Sequence, residues 1–184
     1  MDEAIIETER LYFRKFKDED LEGIWALDSD PQVHKYLGNE PLTSKEQIPP
    51  LIKSIQDQYL KNGIGRFAAF RKQDNAFIGW SGLKYIDKEG DGILHSHDIG
   101  YRFIKQYWGN GYATESAKAG MAYGFNVMNL PLIYGIAHHE NLASSNVLKK
   151  IGLVYVEDLR FFDAPHICYK LTKQDYDNLD PKFK

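Results

Sequence analysis

The 184-residue sequence has a single cysteine, Cys168. No intrachain disulfide is therefore available, which agrees with a reducing compartment, and a cytoplasmic location is expected. No apolar run approaches the roughly 18–20 residues that a membrane helix needs, so no membrane association is expected. The start, Met1-Asp2-Glu3, is acidic and leads into no long apolar stretch, so a secretory leader is not expected. Neither sign of charge dominates. With 23 Lys and Arg against 26 Asp and Glu, the net charge of −3 removes the broad electrostatic case for nucleic-acid binding. Internal repeats, low-complexity tracts and Gly/Ser linkers are also missing, and the length fits one domain, taken as 1–184.

What is abundant is aromatic: 12 Tyr, 10 Phe and 3 Trp imply large buried surfaces or an aromatic-lined cleft. Leu11 to Phe16 reads as a strand, after which Asp18 or Asp20 can cap a helix carrying Leu21, Ile24 and Trp25. Ile48, Leu51, Ile52, Ile55 and Tyr59 recur at helical steps. Pro49 and Pro50 fall in that helix's first turn, and Lys61-Asn62-Gly63 stops it. Strands at about Arg66 to Arg71, Phe77 to Ile86 and Ser96 to Phe103 follow, with short antiparallel connections, the second through a turn at Asp87 to Asp91. Ala113, Ala117, Gly120, Met121, Phe125 and Met128 form one helical face, Leu132 to Ala137 a short apolar strand, and Asn141 starts a helix that Gly152 ends. Two closing strands, about Leu153 to Leu159 and His166 to Leu171, complete a mixed sheet. A strand–helix–strand–helix–strand unit grafted onto an antiparallel meander gives an α+β or α/β sandwich.

The stretch Gln106-Tyr107-Trp108-Gly109-Asn110-Gly111-Tyr112-Ala113 joins a strand to a helix. The first N–H groups of a helix have no intrahelical partners, and the dipole adds positive potential. Gly109 and Gly111 let the backbone close around an anion, and Ala113 keeps the first turn free of bulk. Such a loop suits a pyrophosphate. A Walker loop would need Lys-Ser/Thr after its second glycine, where Tyr112-Ala113 stands, and a dinucleotide fingerprint needs three glycines in another spacing.

Gln106-x-x-Gly109-x-Gly111-x-Ala113 resembles the pyrophosphate-binding signature of the GNAT N-acetyltransferase superfamily. Thr8-Glu9-Arg10-Leu11-Tyr12-Phe13-Arg14, Ser29-Asp30-Pro31-Gln32-Val33, Ile99-Gly100-Tyr101 and Gly111-Tyr112-Ala113-Thr114-Glu115 are similar to motifs of its subgroup of ribosomal-protein N-terminal acetyltransferases. The resemblance runs from about Thr8 to Leu171. It implies a mixed, mostly antiparallel sheet of about seven strands flanked by about four helices. Two central parallel strands, Asp98 to Phe103 and Leu132 to Ala137, would splay apart. It implies acetyl-CoA as cosubstrate, with the pantetheine arm along the first of these strands at Tyr101 and Phe103. The pyrophosphate would rest on Gln106 and on the N–H groups of Trp108, Gly109, Asn110, Gly111, Tyr112 and Ala113.

The reaction so implied is direct attack of a primary amine on the thioester. It requires a neutral amine, a polarised carbonyl and a proton for the leaving thiolate. Asn141 and Ser144 match a second subgroup motif. Asn141 would contact pantetheine or position the site, and Ser144 would lie near the CoA sulfur; capping is the alternative use of both. The tyrosine acid of other branches falls on Leu148 here. Asp98, before Ile-Gly-Tyr where the subgroup often has Glu, is the leading base candidate, with His97 or His95 and bulk water as alternatives. Trp25, Tyr36, Trp80 and Tyr85 are candidates for the acceptor side, although such spacings usually mean core. Cys168 reads as a buried inert thiol, and Tyr155 as a strand residue of the core. No metal site is expected, the acceptor is a protein N-terminus or a small amine, and the chain is a monomer or homodimer. The competing reading is a CoA-binding sensor or structural domain that has lost turnover.

Overall fold

The computed structural model describes residues 3–86, 95–161 and 163–184, so the turn expected at Asp87 to Asp91 lies outside the described residues. Among the described residues, eight strands form one sheet: β1 (Ile6–Glu7), β2 (Leu11–Arg14), β3 (Phe67–Arg71), β4 (Ala76–Ile86), β5 (Ser96–Phe103), β6 (Leu132–His138), β7 (Val154–Phe161) and β8 (Ala164–Thr172). Their order across the sheet is β1-β2-β3-β4-β5-β6-β8-β7. Six α-helices accompany them among the described residues: α1 (Leu21–Asp28), α2 (Pro31–His34), α3 (Ile48–Asn62), α4 (Tyr112–Ala122), α5 (Leu142–Lys150) and α6 (Lys173–Asn178). The architecture is the mixed α/β sheet expected, with β1, α2 and α6 added.

Local chemistry sets the helix ends. Pro49 and Pro50 open α3, where a missing N–H costs nothing, and Gly63 closes it in the left-handed region at φ 70°. Asp20 does not cap α1 with its side chain. Its carboxylate instead accepts from Lys17 N at 2.8 Å and forms a buried pair with Arg14. Strand β3 shows how the layers are made. Phe67 and Ala69 pack into the larger core with Leu83, Ile99, Met121 and Ile133, while Ala68 and Phe70 pack with Ile24, Ile48 and Ile52 on the other face. Alternation along one strand thus serves two layers, which is why its apolar residues run without a break. Trp25 belongs to that second core layer. Cys168 is fully buried, and burial pushes its thiol up to about 11, as suits an inert side chain. Tyr155 lies in β7 as expected, but at 59% exposure it is a surface residue, not a core one, because β7 is an edge strand.

The feature that positions the site is the contact between β5 and β6. These strands run parallel but, among the described residues, pair only at His97↔Ile133 and Asp98↔Tyr134. By contrast, β6 and β8 stay in register over seven residue pairs, from Leu132↔Thr172 to His138↔His166. Beyond Asp98 and Tyr134 the two parallel strands diverge, and the sheet opens toward their carboxyl ends.

Candidate active site

The opening between β5 and β6 leads into a cleft of about 1040 Å³. Gly100, Tyr101, Ile136 and Ala137 line its fork, and Trp108, Gly109, Gly111, Tyr112 and Ala113 line its mouth. Gly109 and Gly111 hold left-handed backbone, at φ 76° and 81°, and Gly111 is the N-cap of α4 with no side-chain cap. A glycine cap leaves the first N–H groups of α4 aimed outward without a side-chain acceptor, which is an anion-binding arrangement.

The loop is braced from two sides. Asn110 Nδ2 donates to the carbonyls of Tyr107 and Trp108 at 3.1 and 3.0 Å, and the Trp108 indole N–H donates to Phe103 O at 2.7 Å. Gln106 and Asn110 are exposed and do not line the cleft. The second brace comes from the far end of the chain. Glu115, in the first turn of α4, accepts from Thr8 Oγ1 at 2.6 Å, from Arg10 N at 3.0 Å and from Arg10 Nε at 2.7 Å. Arg10 Nη1 also donates to Asn110 O at 3.0 Å, and its guanidinium stacks 4.6 Å from the Tyr112 ring centre. Burial pushes the Glu115 carboxyl up, but the hydrogen bonds from Thr8 and Arg10 and the Arg10 charge outweigh it and hold the group below its usual range.

At the fork, Asn141 caps α5: its Oδ1 accepts from Ser144 N at 3.1 Å. Tyr101 reaches across from β5. Its hydroxyl donates to Ser144 O at 2.9 Å and lies 3.2 Å from Ser144 Oγ. One phenolic proton cannot serve both, so Ser144 Oγ–H is the donor in the second contact. Burial pushes the Tyr101 phenol far above its ordinary value, so it stays protonated at neutral pH. A tyrosine therefore stands beside Ser144 although Leu148 occupies the position expected from other branches. Leu148 lines the cleft too.

Asp98 also lines the cleft, next to the point where β5 and β6 part. Arg66 Nη2 donates to its Oδ2 at 2.6 Å, and Arg66 Nη1 donates to Asp98 O at 2.7 Å and to Gly82 O. The two side chains are only 13% and 12% exposed. Asp98 Oδ1 is buried and has no hydrogen-bond partner among the described residues. His97 is not among the lining residues. Adjacent strand residues point to opposite faces, and its ring packs against Tyr85, with centroids 5.2 Å apart. Burial lowers the His97 pKa, with the Asp98 charge opposing. His95 Nδ1 lies 3.4 Å from Tyr85 Oη. Of the aromatic candidates, Tyr36 and Trp80 line the cleft. His138 and His166 do as well, packed edge to face with centroids 5.3 Å apart.

Three participants were not singled out by the sequence: Arg66, the Arg10–Glu115 pair, and Lys84, which lines the cleft beside Asp98. The only signal for the second was that Arg10 and Glu115 both fall within the motifs quoted above.

The comparisons agree with this geometry. The family model described as an acetyltransferase (GNAT) domain matches residues 10–154. An uncharacterized N-acetyltransferase, p20, of Bacillus licheniformis is 33% identical over 175 residues, covering 92% of this chain and 96% of the relative. Spermidine N(1)-acetyltransferase of Escherichia coli K12 is 30% identical over 143 residues, covering 76% of this chain and 70% of that protein. A crystal structure of a GNAT-family acetyltransferase from Bacillus anthracis superposes with a TM-score of 0.74 at 27% identity, over 92% of this chain and 98% of that one. Among the described residues, no helix is long and apolar enough to cross a membrane. With the parted parallel strands, the glycine-capped α4 at their mouth and a family match spanning most of the sequence, the chain belongs to the GNAT acetyltransferase family.

Proposed function

We propose that the chain transfers an acetyl group from acetyl-CoA to a primary amine by direct attack on the thioester. The observation that carries this reading is the fork between β5 and β6, with the α4 N-terminus at one end and the Tyr101–Ser144 hydroxyl pair at the other. Acetyl-CoA supplies the activated acyl carbon and a thiolate leaving group. Residues Trp108 to Ala113 cradle the diphosphate with backbone N–H groups, and the β5 edge at Tyr101 and Phe103 lies alongside the pantetheine amides. Asp98 Oδ1 receives the proton that the attacking nitrogen gives up, directly or through one water. Arg66 fixes the carboxylate by holding the other oxygen. As the N–C bond forms and the C–S bond breaks, Ser144 Oγ–H or the Tyr101 phenol returns a proton to sulfur. The alternative, a CoA-binding domain without turnover, is separated by thiol release from acetyl-CoA across a panel of amines.

Ser144→Ala and Tyr101→Phe are each expected to lower kcat and kcat/KM together by about tenfold or more, with KM nearly unmoved. The double variant should fall little below the worse single one, because both hydroxyls lie on one proton path. If Ser144 served only α5, its loss would lower Tm modestly and spare kcat, so both quantities are measured on one active acceptor.

Glu115 places a negative charge beside the helix end that must receive a diphosphate, and Arg10 cancels it. Arg10→Gln is expected to raise the acetyl-CoA Kd about three- to tenfold at unchanged kcat. Adding Glu115→Gln should bring it back to within about twofold of the parent by removing the uncompensated charge. Calorimetry in which the double variant binds worse than Arg10→Gln alone would make the pair a brace without an electrostatic role.

A further inference from the structure

The acceptor wall of the cleft is written in the register of β4 and β5: Trp80↔Arg102, Gly82↔Gly100 and Lys84↔Asp98. The glycine rung is not vacant, since a Cβ at Gly100 would run into the Arg66 guanidinium. Three cations therefore stand in a row, and two have acids. Arg66 holds Asp98, and Arg102 Nη1 donates at 2.6 Å to buried Asp28, which also meets His34 Nε2 at 3.2 Å. Lys84 is half-buried, lines the cleft, and has no ion pair or hydrogen bond among the described residues. Glu40 and Lys150, both exposed, add one charge of each sign at the rim. Trp80, the indole on this wall, already carries the guanidiniums of Arg66 and Arg102, at 5.4 and 5.0 Å from its ring centre.

Resting on the acetyltransferase reading above, we infer that the acceptor is an amine that also bears a carboxylate close to the reacting nitrogen, and that Lys84 binds this carboxylate. Lys84 and Asp98 are direct cross-strand partners, with Cβ atoms about 5 Å apart. The amine that approaches Asp98 Oδ1 therefore carries its anionic group within a few bonds of the nitrogen, as a free α-amino acid does, or a peptide whose first residue is acidic. A polyamine would bring further positive charge to a wall that already has one cation in surplus. Burial lowers the Lys84 pKa against the pull of Asp98, the direction expected of an ammonium whose counter-ion arrives with the substrate.

The test uses the whole enzyme and matched acceptors: free amino acids and their amides, peptides beginning with Glu and with Gln, and spermidine. Wild-type enzyme should favour the carboxylate member of a pair by at least about tenfold in kcat/KM, about 1.4 kcal/mol, and should use spermidine least. The first two pairs separate a free amino acid from a peptide N-terminus as the source. Lys84→Met should reduce the preference to within about twofold, mainly through KM, while Lys84→Arg retains it. Amides or spermidine turned over as fast as the acids, a preference that survives Lys84→Met, or acetylation of Lys84 itself would overturn the assignment. Binding of the same compounds to the CoA complex, followed by NMR, decides the matter even if none is turned over: equal binding of acid and amide overturns it. Failure of CoA itself to bind would instead overturn the acetyltransferase reading.

Discussion

Asp98→Asn is expected to lower kcat by about 10²–10⁴ while moving acetyl-CoA affinity by less than about twofold. The carboxylate has one oxygen engaged by Arg66 and the other buried, with no partner among the described residues, in a side chain that lines the cleft. An asparagine oxygen can still accept from Arg66, but the amide has no basic atom to offer the attacking nitrogen. Neutralising one member of a nearly buried pair also costs stability, on the order of 3 kcal/mol. Rates are therefore compared well below each variant's Tm. Asp98→Glu keeps the charge and should lose far less activity than the amide. A full rate in Asp98→Asn would hand deprotonation to bulk water, because His97 lies on the other face of the strand.

Gly111→Val is expected to raise the acetyl-CoA Kd at least about tenfold, about 1.4 kcal/mol. A steric clash is not the reason, since among the described residues a Cβ there would meet only Arg10 Nη2, at 3.5 Å. The reason is the backbone: φ 81° and ψ 0° is a region that β-branched residues all but never occupy. Valine would force the loop to rotate and turn its N–H groups away from the bound diphosphate. Gly111→Asn, which tolerates left-handed backbone, should keep most of the affinity. Unchanged calorimetric affinity in a folded valine variant would remove the diphosphate from this loop.

What was legible in the sequence was local. The Gly109 and Gly111 conformations, the Pro49–Pro50 start of α3, its Gly63 stop and the Asn141 cap each depend on a handful of neighbouring residues, and each holds. The parallel strand pair came from the family resemblance, since no periodicity shows where two strands part. β1, with two residues, and α2, with four, are too short for a strand or helix periodicity to repeat. Pairings across the sheet were not legible. Arg66 lies 32 residues from Asp98, and Arg10 lies 105 from Glu115. The choice between His97 and Asp98 depends on which side of β5 is packed under α4, and two adjacent residues cannot reveal that without the tertiary fold. For the same reason Trp80 and Tyr36 face the cleft while Trp25, spaced as plausibly, is core.

The two rungs between β5 and β6 make the sheet discontinuous at its centre, with five antiparallel strands on one side and three on the other. A pantetheine arm laid in that gap would act as a short guest strand, lending its amides to backbone groups that no neighbouring strand serves. Chain integrity is then coupled to metabolite supply. At a concentration a hundredfold above its Kd, the cosubstrate would add about 2.7 kcal/mol to global stability, a large share of what a domain of this size possesses. A cell depleted of acetyl-CoA and CoA would hold this enzyme not only idle but loosened along its midline, open to proteolysis where a fed cell would keep it closed.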